Sequence, residues 1–156
     1  MPEQEKKAHA FILSKAQNYC AYQERCIFDL SNKLREWKIK DEVAEKIINQ
    51  LVDEDLINEE RYARNYAGSK FRIKKWGKNK IIYELKRKQV PDLIIQIGLQ
   101  EIEDEEYINA LKGLLSKKSF ALDDSNPIKR KQKLAKYAIS KGYRSGLVWD
   151  VLNNIK

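Results

Sequence analysis

One apolar spacing occurs three times along this chain, and it restricts the fold more than any other feature. Take Ile39, Val90 and Tyr143 as anchors: Leu30, Ile81 and Leu134 stand nine residues before them, and Leu34, Leu85 and Ala138 five before. Val43, Ile94 and Leu147 come four after, Ile47, Gly98 and Val151 eight after, and Ile48, Leu99 and Leu152 nine after. Leu51, Ile102 and Ile155 come twelve after, and of all these places only Gly98 lacks a side chain. Self-similarity at such a period marks stacked modules. Intervals of four, eight and twelve keep the stripe on one helix face. The expected fold is therefore all-α, with three tandem three-helix repeats (1–55, 56–102 and 103–156) forming an elongated, curved array. A module of about 50 residues is near the lower limit for folding alone, so the repeats are expected to lean on each other.

Punctuation supports nine helices, near 5–18, 21–37 and 41–54, then 58–74, 78–88 and 91–101, then 104–118, 127–141 and 145–155. Six glycines and three prolines are too few for an all-β chain with many tight turns. Asn58, Asp104, Asn126 and Ser145 are suited to capping helix N-termini, Pro91 and Pro127 to a first turn, and Gly142 to a helix end. The third repeat carries an insertion, 117–126, whose Asp123-Asp124-Ser125-Asn126 predicts a flexible loop.

Charge is unevenly placed. The chain has 31 Lys and Arg against 23 Asp and Glu, a formal net charge of +8, which favours polyanionic partners or acidic protein surfaces. One stretch holds Lys70, Arg72, Lys74, Lys75, Lys78, Lys80, Lys86, Arg87 and Lys88 against the single acid Glu84. A second holds Lys129, Arg130, Lys131, Lys133, Lys136, Lys141 and Arg144 with no acid. Both fall on the second helix of a repeat and its approaches. Lys78 matches Lys131 in register, Lys80 matches Lys133 and Lys88 matches Lys141, whereas the first repeat has Ile27, Asp29 and Trp37 there. A single basic helix face is ordinarily a solvated face. Repetition in register points further, to binding of a nucleic-acid backbone with little sequence preference and strong salt dependence. All of these residues except Lys86 are the expected contacts. Trp76, if exposed, is a candidate for base stacking, while Tyr143 sits at a core anchor. Acids gather at the joints (Asp53, Glu54, Asp55, Glu59, Glu60; then Glu101, Glu103, Asp104, Glu105, Glu106), where they suit helix N-termini.

No catalytic constellation emerges, so the chain is expected not to be an enzyme and to need no cofactor. His9 is the sole histidine, and there is no nucleophile triad or phosphate-cradling glycine loop. Cys20 and Cys26 do not make a zinc pattern and are expected to be reduced and partly buried. No apolar run spans a membrane and no signal peptide is read at the N-terminus, so the expected location is cytoplasmic.

The segment Leu56-Ile57-Asn58-Glu59-Glu60-Arg61-Tyr62-Ala63, followed by Trp76-Gly77-Lys78, Ile81, Leu85 and Lys88-Gln89-Val90, resembles the bacterial RecX family of recombination regulators. That family's signature reads acid-acid-x-Arg-aromatic-Ala, then a glycine before a basic helix of the form Ile-x-x-x-Leu-x-x-Lys-Gly-Ile. Arg61, Tyr62, Ala63, Gly77, Ile81, Leu85 and Lys88 match it. Asn58 replaces the usual Asp and Gln89 the usual Gly, while Lys141-Gly142-Tyr143 repeats the ending faithfully. The first repeat matches least, with Cys20 at the usual serine cap. The motif residues, Gly142 included, read as structural, and Arg61 as a joint or salt-bridge residue. The resemblance implies a monomeric, non-enzymatic regulator that lies in the groove of the RecA filament on single-stranded DNA and inhibits RecA. Duplex DNA is a further expected partner. Two alternatives stay open: a generic helical DNA-binding protein in which Gly77 or Gly142 joins a helix-turn-helix-like pair, and a scaffold that binds only protein.

Overall fold

The structure is a computed structural model that describes residues 2–154. Among these residues it is entirely helical. The helices are α1 (Glu3–Tyr22), α2 (Ile27–Glu36), α3 (Asp41–Asp53), α4 (Glu59–Lys74), α5 (Lys78–Arg87), α6 (Asp92–Leu99), α7 (Asp104–Ala121), α8 (Pro127–Ser140) and α9 (Ser145–Asn154). The all-α, three-times-three layout is as expected. Ile155, the last place of the spacing, lies outside the described residues.

The threefold spacing has a local cause. Each anchor follows a residue with left-handed backbone, at φ 60° for Lys38, 59° for Gln89 and 106° for Gly142. Each anchor N–H then donates to the carbonyl five residues back: Ile39 to Leu34 at 3.0 Å, Val90 to Leu85 at 3.1 Å and Tyr143 to Ala138 at 3.2 Å. This is the Schellman closure of a helix C-terminus, in which an apolar residue beyond the turn folds back onto the last turn. The anchors and the apolar residues five before them are therefore the two halves of one capping contact, made three times.

Several boundaries differ from expectation. α1 runs on to Tyr22 and α2 starts only at Ile27. Ala16 and Cys20, four apart, are both buried on one face, which carries α1 past the expected break. Arg25 then closes the end, its Nε donating to the Tyr19 carbonyl at 3.4 Å. α7 continues to Ala121, so only 122–126 of the expected 117–126 loop is irregular; Lys117 to Ala121 contain no helix breaker. Asn58 and Asn126 cap as expected, Asn58 Oδ1 accepting from Arg61 N at 2.9 Å and Asn126 Oδ1 from Ile128 N at 3.0 Å. Asp104 and Ser145 are instead the first residues of their helices, and Pro91 is the cap before α6.

The interior divides in two. Ala16, Cys20, Leu30, Leu34, Ile47, Leu51 and Ile57 form one core. The second and third repeats share the other, which runs from Tyr62 through Phe71, Ile81, Leu85, Leu111 and Leu134 to Leu152 and also takes in Cys26. Both cysteines are free and buried. The accessible surface is 10310 Å², against about 8200 Å² for a compact chain of this mass. That excess fits an elongated row.

Two glycines set the closest approaches. A Cβ at Gly98 would stand 2.8 Å from the backbone and side chain of Ala63, so the one gap in the apolar spacing is where α6 crosses α4. A Cβ at Gly77 would stand 2.3 Å from the carbonyl carbon of Gly142. Here the turn before α5 meets the turn before α9, with Gly77 N donating to Lys141 O at 2.7 Å and Asn79 N to Gly142 O at 2.9 Å.

Candidate nucleic-acid interface

The motif residues lie within and beside the packing. Ala63, Ile81 and Leu85 are fully buried and Tyr62 nearly so. Arg61 is a joint: Nε bonds Glu24 at 2.9 Å, Nη1 bonds Asp55 at 3.1 Å and Nη2 donates to the Asp55 carbonyl at 2.9 Å. It thereby ties the α1–α2 and α3–α4 connections to the start of α4. Two hydrogen bonds by tyrosine hydroxyls join the second and third repeats. Tyr107 Oη accepts from Lys78 N at 2.9 Å, at the N-terminus of α5, and Tyr143 Oη donates to the Lys75 carbonyl at 3.2 Å. The two rings stack with centroids 5.0 Å apart, and burial raises both hydroxyl pKa values.

The basic residues named from the sequence fall into two groups. Six are engaged by acceptors of the chain itself. Lys88 Nζ is 2.6 Å from Asp29, Lys133 Nζ 2.9 Å from Asp124, Arg87 3.3 Å from Glu84 and Lys78 3.8 Å from Asp104. Arg72 pairs with Glu106 at 3.5 Å and donates to the Glu101 carbonyl at 3.0 Å. Arg130 fastens the 122–126 loop through the carbonyls of Ser119, Leu122 and Asp124 and through Ser119 Oγ. A backbone N–H from Asn126, together with Lys133, holds the Asp124 carboxyl below its ordinary pKa. Lys70, Lys74, Lys75, Lys80, Lys129, Lys131, Lys136, Lys141 and Arg144 have no ion pair among the described residues.

Asp29, which replaces the stripe lysine in the first repeat, is thus the dock for Lys88 of the second. Trp76 is not an open platform. It is half-buried, with Lys70 and Lys80 ammonium groups 5.1 and 4.6 Å from its ring centre and Tyr66 edge-on. Of the ten joint acids, five occupy first turns, Glu59 and Glu60 in α4 and Asp104, Glu105 and Glu106 in α7, and Glu103 is the cap before α7, whereas Asp53 and Glu54 close the C-terminal end of α3 and Asp55 and Glu101 lie between helices.

Three helices surround a cleft of about 650 Å³. The end of α4 contributes Lys74 and Lys75, α7 contributes Lys117 and Lys118, and the end of α8 contributes Lys141. Ala110, Leu114 and Tyr137 form its apolar floor, and none of its lining residues is a carboxylate. Lys118 and Lys141 stand over the Tyr137 ring, 4.6 and 5.8 Å from its centre. Lys117 and Lys118 escaped the sequence reading because they lie outside the two basic stretches, where the helix expected over 104–118 runs into the expected insertion. Helical spacing across 110, 114, 117, 118 and 121 was the available signal. Among the described residues no group of acids, cysteines and histidine is arranged to hold a metal, and no helix is long and apolar enough to cross a membrane.

Comparison with known proteins agrees with this architecture. Residues 58–99 match the family description "RecX, second three-helix domain" and residues 104–152 match "RecX, third three-helix domain". "Regulatory protein RecX" of Clostridium acetobutylicum is 30% identical over 155 residues, covering 97% of this chain and 72% of that protein. The Prosthecochloris aestuarii protein of the same name is 29% identical, covering 92% of each chain. The crystal structure of RecX from Lactobacillus salivarius superposes with a TM-score of 0.86 at 24% identity, over 95% of this chain and 96% of that one. A second, described as a crystal structure of regulatory protein RecX, gives 0.86 at 23% identity over 99% and 80%. These two structures share the fold, and from the family descriptions and the Clostridium relative the chain belongs to the RecX family.

Proposed function

We propose that this protein inhibits the RecA recombinase by lying in the groove of the RecA filament on single-stranded DNA, as a cytoplasmic monomer with no catalysis of its own. Membership of a family whose members are named regulatory proteins supports the reading. The observation that carries it is the set of cations left without carboxylate partners among the described residues on an elongated helical row, Lys74, Lys75, Lys80, Lys131 and Lys141 among them. A row so shaped follows a groove, and unneutralised lysines release counterions when they meet phosphates. By binding one filament state better than another, the protein shifts assembly without chemistry.

The test is RecA ATPase on single-stranded DNA with this protein at low stoichiometry. The rate falls well before one copy per RecA is reached, and an unchanged rate overturns the reading. Charge reversal at Lys80 and Lys131 weakens filament binding and flattens its salt dependence. Two helix pairs, α4–α5 and α8–α9, are joined by short turns containing Gly77 and Gly142, which favours the second reading of a generic DNA binder. Tight, sequence-specific binding to naked duplex, unaffected by RecA, would select that alternative.

A further inference from the structure

We infer that the lysine cleft bounded by α4, α7 and α8 seats one single strand of nucleic acid, and that Phe120 stacks on a base at its edge. The inference rests on the proposed filament reading only for the identity of the strand; the cleft itself is argued from its chemistry. Five lysines converge there from three helices with no acid among them. None of the five has an ion pair among the described residues, whereas Arg72, Lys78, Lys88 and Lys133 nearby in sequence all do. Two of the ammonium groups are held in place over Tyr137. Such a patch is built for an external polyanion, and its apolar floor gives a sugar or base edge somewhere to lie.

Phe120 separates a nucleic acid from an acidic peptide. It is 91% exposed, seven residues and so about two turns beyond Gly113, hence on the same side of α7. A bare ring beside a cationic groove offers every base a stacking surface, while a run of carboxylates gains nothing from it. The cleft is the size of a small-ligand site; it admits the backbone of a strand but does not enclose a duplex.

The experiment is fluorescence anisotropy of a labelled thymidine oligonucleotide with the full chain and no RecA, across a salt titration. Lys117→Glu with Lys118→Glu is expected to lower the log–log salt slope by about two and to weaken binding far more than Lys40→Glu with Lys46→Glu, which makes the same charge change at exposed lysines of the first repeat, outside the cleft and outside the basic stretches. Gly113→Gln obstructs the cleft at constant charge. A Cβ there meets nothing within 4 Å and the change raises helix propensity, so the fold persists while binding weakens. Phe120→Ala is expected to cost about tenfold on the thymidine strand and little on an abasic strand of equal length.

Equal losses from the two lysine pairs, or full binding by Gly113→Gln, overturn the inference. So does displacement of the oligonucleotide by polyglutamate as readily as by an unlabelled strand of the same charge, since the cleft would then be an acidic-peptide site. An active wild type in the RecA ATPase assay alongside any of these results sinks the inference alone. An inactive one sinks the filament reading, and the strand measurements still stand by themselves.

Discussion

At the residue scale, Lys38, Gln89 and Gly142 occupy one equivalent place in three repeats, and all three are left-handed. The sequence shows Gln89 departing from the glycine usual in the family, yet the backbone does not change to suit it; the Schellman bond from Val90 is made regardless. A non-glycine residue there costs about 1 kcal/mol or more, and the greater freedom of an unfolded glycine offsets part of any gain from removing it. Gln89 is exposed, so no packing is lost. Thermal denaturation should therefore place Gln89→Gly about 0.5 kcal/mol above the parent chain, and Gln89→Val, β-branched at a positive φ, about 1–2 kcal/mol below it. The capping turn was legible as an apolar spacing. Its left-handed residue was legible at Gly142, read as a helix end, but not at Lys38 or Gln89, because Lys and Gln give no sign of it.

At the element scale, the Gly77 and Gly142 turns join two helix pairs by backbone alone. Side chains on either glycine would penetrate the other turn: a Cβ at Gly142 would stand 2.5 Å from Lys80 Cβ and 2.7 Å from Lys80 N, at a φ of 106°. Gly77→Ala and Gly142→Ala are each expected to cost about 3 kcal/mol in chemical denaturation. Because both act on one contact, the double variant should cost clearly less than their sum. The helices themselves were nearly all legible, since their periodicity is local. The errors came at Cys20–Ile27 and at Lys117–Asn126, where a helix continues without an obvious stop signal. The packing partners of Gly98 and Gly77 were not legible at all, since Ala63 and Gly142 are distant in the chain.

At the scale of the whole molecule, two cores imply two stabilities. Among the described residues, seven form the first and 21 the second. The smaller should open more readily while the larger stays closed. Native-state hydrogen exchange is expected to give Ile47 and Leu51 opening free energies about 1–2 kcal/mol below those of Ile81 and Ala138; indistinguishable values would mean one cooperative unit. The candidate interface was legible as two basic stretches but not as a site. Lys88 is taken by Asp29, 59 residues away, and the α7 lysines complete a cleft begun by α4 and α8. Sequence distance hides both the cations that are neutralised and those that assemble.

Cys26 precedes α2 yet is sealed in the second core, while Ile57 follows α3 and is sealed in the first. The two residues cross over like the arms of a clasp. No single scission between repeats leaves both interiors whole: a cut at 55 robs the first of its closing isoleucine and the second of a sulfur it has wrapped completely. Swapping repeats between relatives should therefore succeed only when the segment from Cys26 to Ile57 travels with partners shaped to receive both ends.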